Sequence, residues 1–136
     1  MNENGITQAT SNVVSDVLTR LLREGGLRRI PRNPHNRGII LGILSLGMRR
    51  RYAYSEVELN DYLKLELNKL RASVDHVTCR RYLVDFDFVK RDRAGQRYFL
   101  NFARVESVLT DEARVVAESL VTQALSMAKS SGRESQ

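Results

Sequence analysis

A chain of 136 residues, 42% hydrophobic and 28% charged, has the composition of a folded domain rather than of a disordered segment. Its longest apolar run, Gly38 to Met48, is interrupted by Gly42, Ser45 and Gly47 and falls short of the ~18 residues a membrane span needs. The single cysteine, Cys79, excludes an internal disulfide framework, and His35 and His76 do not complete a zinc-ligand set with it.

The net charge of +6 is unevenly placed: residues 20 to 104 hold 19 Lys and Arg against 9 Asp and Glu, while each flank sums to −2. A basic middle between mildly acidic ends suits a core that meets a polyanion. Residues 1–10 are polar, expected to be flexible, and lack the basic start and apolar stretch of a secretory signal, which points to the cytoplasm.

A first helix is expected from Ser11 to Glu24, with Val14, Val17, Leu18, Leu21 and Leu22 on one stripe and Gly25 and Gly26 as its stop. Leu27 to Arg37, with two prolines and four arginines, reads as an extended basic arm, so that residues 11–36 form a helix-and-arm unit. Asn36 is a candidate cap for a second helix, Arg37 to Met48, whose widely spread apolar positions mark it as buried.

After the run Arg49, Arg50, Arg51, a third helix starts at Ser55, where Glu58 stands three residues on, as a capping box requires. Asp75 is placed to cap another, His76 to Phe86. Phe88 to Leu100 then reads as a β-hairpin turning at Asp92 to Gly95. A long last helix, Val105 to Lys129, carries Leu109, Ala113, Val116, Leu120, Ala124 and Met127 at spacings of three and four, before a polar tail at 130–136. At 1.5 Å per residue a single helix of about 37 Å overhangs a small core and needs a partner: another subunit's helix, this chain's own first helix, or both. The expected pairing residues of a homodimer are Leu109, Val116, Leu120, Ala124 and Met127, with Val14, Leu18 and Leu21.

The fold class these elements imply is mainly α with a small β-hairpin, and three helices followed by a ribbon is the order of a winged helix-turn-helix, here spanning 37–104 with a helix added at each end. Tyr54, Ser55, Glu56, Glu58, Leu59 and Asn60, then Asp75, Thr78, Arg80, Arg81, Leu83, Val84 and Asp85, then Arg91, Gly95 and Tyr98, carry a resemblance. The pattern is similar to that of an uncharacterised bacterial winged-helix-like domain (YSExEVN, DxxTLRRxLVDxGxLxR, GxxY) found alone or joined to predicted transcriptional regulators. The resemblance covers about residues 37–101 and implies a winged helix and an association with regulation. The chain departs from the pattern at Cys79 (usually leucine), at Asp87 (usually glycine) and in a longer link, Asn68 to Val74. Aspartate enters the left-handed region more readily than most residues.

Double-stranded DNA is the partner this reading favours, since basic side chains gain affinity by releasing counterions condensed on phosphates. The candidates are His76, Thr78, Arg80 and Arg81 on the helix before the hairpin, and Lys90, Arg91, Arg93 and Arg97 on the hairpin. Arg28, Arg29, Arg32 and Arg37 of the arm, with Arg49, Arg50 and Arg51, are placed to flank the duplex. Each has a structural alternative: Arg80 or Arg81 pairs with Asp85, the hairpin cations guard a ribbon edge, and the arginine run is a solvated turn. Tyr52, Tyr54, Tyr98 and Phe99 read as packing rather than base-stacking residues.

An enzyme is not expected: Gly25 and Gly26 lack the lysine and serine of a phosphate loop, Glu56 and Glu58 diverge at a helix start, and Cys79 reads as a buried small residue. No cofactor or metal is implied. The competing reading is a winged-helix module that binds an acidic protein partner without touching DNA.

Overall fold

The computed structural model describes residues 8–134 and, within them, the side-chain environments of residues 8–122. The order is α1 (Ser11–Arg23), α2 (Pro34–Leu46), α3 (Glu56–Lys69), α4 (His76–Asp85), β1 (Val89–Arg91), β2 (Tyr98–Leu100), α5 (Phe102–Val108) and α6 (Asp111–Glu134). The architecture is mainly helical with one two-stranded antiparallel hairpin. Among the described residues no helix is long and apolar enough to cross a membrane.

α2 is the central helix: every residue from Gly38 to Ser45 is buried. Its start lies earlier than Asn36, because Asn33 accepts the Asn36 N–H at 3.1 Å and Pro34 takes the first helical position, where its missing N–H costs nothing. At its far end Ser45, buried among apolar neighbours, satisfies its hydroxyl by donating to the Leu41 carbonyl at 2.9 Å.

α3 starts with a complete capping box, Ser55 Oγ accepting from the Glu58 N–H and Glu58 accepting from the Ser55 N–H, and buries Leu59, Leu63 and Leu67 against the core. Asp75 caps α4 by accepting the Thr78 N–H at 2.7 Å. In the hairpin, Val89 stands opposite Leu100 and Arg91 opposite Tyr98. Tyr54, just ahead of α3, adds a further antiparallel bridge on the β2 side, its N–H and carbonyl both bonded to Tyr98 at 2.9 Å. That bridge ties the ribbon to the root of α3.

Two further expectations change. The segment after Gly26 is not a free arm: Leu27 and Ile30 are buried, and the Leu27 backbone bonds Leu70 and Ser73 in the α3–α4 link. Gly26 permits this approach, since a Cβ there would stand 2.3 Å from the Arg71 carbonyl oxygen and the residue has a φ of +106°.

The single helix expected from Val105 to Lys129 is two. Leu109 is extended (φ −128°, ψ 131°), Thr110 accepts the Ala113 N–H, and Asp111 and Glu112 fill the first turn of α6, which continues to Glu134.

The break has a partner. Ala9 forms a parallel bridge with Leu109, its N–H donating to the Val108 carbonyl at 2.7 Å and its carbonyl accepting from Thr110 at 3.1 Å. α1 and α6 both start at this bridge and make the most extensive helix contact in the molecule, so they run side by side in the same direction. Val14 and Leu18 of α1 and Ala113, Ala117 and Val121 of α6 are all buried.

Candidate nucleic-acid interface

Cys79 and Leu83 turn one side of α4 into the core, and this orients the opposite side, Val77, Arg81 and Asp85, to solvent. His76 and Thr78 are half-buried at its start. Burial pushes the Cys79 thiol up to about 12, so at neutral pH it is a protonated core residue and not a nucleophile.

Arg80 and Arg81 part company. The Arg80 side chain is only 16% exposed; its guanidinium lies 3.0 Å from a Glu56 carboxylate oxygen and donates to Asn60 Oδ1. Arg80 therefore clamps α4 to α3, and neither arginine makes the alternative ion pair with Asp85 among the described residues. Glu56 and Asn60 lie in the preceding helix, Asn60 being 20 residues back along the chain, so spacing within α4 gave no signal for them.

On the hairpin Lys90, Arg91, Arg93 and Arg97 are all exposed. Lys90 Nζ stands 4.0 Å from Asp87, and Arg91 is held across the turn, donating to the Gly95 carbonyl at 3.0 Å with its guanidinium 5.3 Å from the Tyr98 ring centre. Asp92 closes the turn by accepting the N–H groups of Gln96 and Arg97 at 2.8 and 3.2 Å. Arg81 and Arg91 line one shallow depression with Glu56, Asp85 and Tyr98, so α4 and the ribbon form a continuous surface.

The remaining candidates are dispersed. Arg28 and Arg29 are exposed beside a groove shared with α1, and Arg28 donates to the Glu24 carbonyl at 3.4 Å. Arg32 is exposed. Arg37 is half-buried over the Phe86 ring. Arg49 lies over Tyr52, whose hydroxyl donates to Glu58, and Arg50 lies 4.1 Å from the Phe102 ring centre in α5. Arg51 turns the chain with a φ of 57°.

Of the expected pairing residues, Leu109, Val14 and Leu18 are fully buried within this one chain and are core. Leu21, Val116 and Leu120 are half-buried, and the side chains of Ala124 and Met127 lie outside the described residues. Over the described side chains α1 covers one face of α6, so of the partners the sequence offered the chain's own first helix makes this contact.

Residues 26–100, more than half of the chain, match the model of a family described as an uncharacterized protein conserved in bacteria (DUF2087). α2, α3, α4 and the hairpin fall inside the match, while α1, α5 and α6 fall outside it. No curated protein and no solved structure matches the chain.

Proposed function

From the premise that the chain belongs to this family of uncharacterised bacterial proteins, DUF2087, we propose that it is a DNA-binding regulator built on a winged helix-turn-helix. In this reading α4 enters the major groove and the hairpin is the wing. One observation carries it: Arg81 on the outer side of α4 and Arg91 on the ribbon share a surface, with Lys90, Arg93 and Arg97 exposed on the same hairpin. The terminal helices pack on each other and on α2 and α3, and leave that side of α4 in solvent.

The chemistry follows from the side chains. Lys90, Arg93 and Arg97 neutralise phosphates and release counterions, while Arg81, with a planar fork of donors, is the base-edge candidate. Arg80 is assigned to the scaffold. The protein acts by binding rather than by catalysis, and its expected place is the cytoplasm. Two copies pair through the part of α6 that outruns α1, where the sequence continues its stripe with Ala124 and Met127.

A fluorescence anisotropy titration of full-length protein against random-sequence duplex tests the reading. Binding is expected at low salt, with a log–log salt slope of roughly −3 from these three phosphate contacts. Replacing Arg93 and Arg97 by alanine is expected to reduce that slope; Arg81→Ala is expected to weaken binding and relax sequence preference. A flat titration at low salt would refute DNA binding.

A second reading, a module for an acidic protein partner, is favoured by the acids within the same surface: Glu56 neutralises Arg80, Asp87 stands near Lys90, and Asp85 borders Arg81. It is the reading left standing by a flat titration.

A further inference from the structure

A cavity of about 580 Å³ opens between the first half of α2, the link from α4 to β1, and α5. Its volume falls in the range of small-molecule sites. Ile39, Leu41, Phe88 and Val108 supply apolar wall, and Arg37 and Arg104 supply charge; no aspartate or glutamate lines it.

Both guanidiniums are held in place without being neutralised. Arg37 lies 3.9 Å from the Phe86 ring centre and donates to the Arg32 carbonyl at 3.3 Å. Arg104 lies 4.7 Å from the Phe88 ring centre and donates to the Phe86 carbonyl at 3.0 Å and to Ser107 Oγ at 3.1 Å. Neither pairs with a carboxylate among the described residues. Two half-buried positive charges on the wall of one apolar cavity repel each other and have given up hydration. An anion seated there relieves both costs.

We propose that this cavity binds a small organic anion with an apolar, preferably aromatic, body: a carboxylate held by Arg37 and Arg104, its ring system against Phe86, Phe88 and Val108. Stacked guanidiniums with free N–H groups suit a planar carboxylate, and the apolar wall selects against bare inorganic anions. The occupant would touch α2 and the α4–β1 link, inside the family match, and α5, outside it, joining the shared body to this chain's own C-terminal helices. The inference does not rest on DNA binding.

The test is an amide NMR titration of the full-length protein with naphthoate, the neutral naphthalenemethanol and inorganic phosphate. Naphthoate is expected to bind saturably, shifting the amides of Gly38, Phe88 and Val108, and about tenfold more tightly than the alcohol or phosphate. Arg37→Gln, and separately Arg104→Gln, is expected to bring naphthoate down to the alcohol's affinity while the alcohol still binds. A misfolded variant would instead lose both ligands, in which case the other variant decides. Equal affinity for acid and alcohol in the unaltered protein, shifts confined to other surfaces, or no saturation below about 10 mM would overturn the proposal. So would retention of the acid preference in a folded variant.

Discussion

The guanidinium of Arg80 is tucked against Glu56 and Asn60, while that of the next residue lies in solvent. The pair is asymmetric, since the Arg80 side chain is 16% exposed and Glu56 is 58% exposed, so water already screens the acid and the ion pair itself contributes little. Arg80→Ala loses the packed stem and a charged hydrogen bond as well, and is expected to cost about 1–2 kcal/mol in urea unfolding. Arg81→Ala is expected to stay within about 0.5 kcal/mol of the unaltered protein. Equal costs at the two positions would contradict the assignment of one to scaffold and the other to surface. The sequence brought both arginines to notice through the resemblance, but helix spacing offered only Asp85 as a partner. Asp87 was more legible: it stands where the similar pattern has glycine, and it takes the left-handed conformation with a φ of 69°.

Among the elements, those closed by neighbours in sequence could be read directly. Ser55 with Glu58, Asp75 with Thr78, and Asp92 with Gly95 act over a few residues, so composition sufficed. The hairpin turn also carries a pH dependence. N–H groups of Arg97, then of Gln96 and Gly95, hold the Asp92 carboxyl below its ordinary value; the Thr78 amide does the same for Asp75, and Tyr52 and Ser55 for Glu58. A carboxyl lowered in the folded state stabilises fully above its unfolded value, and that contribution disappears as pH falls through the folded one. Protection of the Arg97 and Tyr98 amides, measured relative to their intrinsic exchange rate at each pH, is therefore expected to fall below about pH 4, and Asp92→Asn to remove the acid-dependent part of that change. The same acid response in the variant would show that another group governs the turn. The junction of α5 and α6 was missed because the apolar stripe runs on across it. Periodicity reports which face is apolar, not whether the backbone is continuous, although Thr110, Asp111 and Glu112 do form a cap signal.

At the scale of the molecule, α5 and α6 are part of the core and not an appendage. Val105, Val108, Leu109 and Val121 are buried, and α5 approaches α2 so closely that a Cβ on Gly42 would stand 3.0 Å from Val108. Burying side chains of this kind contributes about 1.5–3 kcal/mol each, and four of them rival the whole stability of a domain. A chain ending at Arg104 is expected to lose cooperative thermal unfolding and to bind a hydrophobic dye. A chain ending at Gln123 keeps the α1 contact and is expected to unfold cooperatively. Sedimentation then tests pairing: a dimer for the full chain and a monomer for the one ending at Gln123. A full chain that sediments as a monomer removes the pairing proposal and leaves the core argument intact.

The amino-acid sequence by itself determined the mainly helical class, the hairpin and its turn, the starts of α1, α3 and α4, and the basic character of the middle. Each of these depends on residue type and on interactions within a turn or two of chain. Only the tertiary structure decided that Leu27 docks on Leu70, that α1 is the partner of α6, that Arg80 faces inward, and that Arg37 and Arg104 meet at one cavity. Those pairs lie tens of residues apart, and their meeting is set by how helices pack around α2, which local periodicity does not encode.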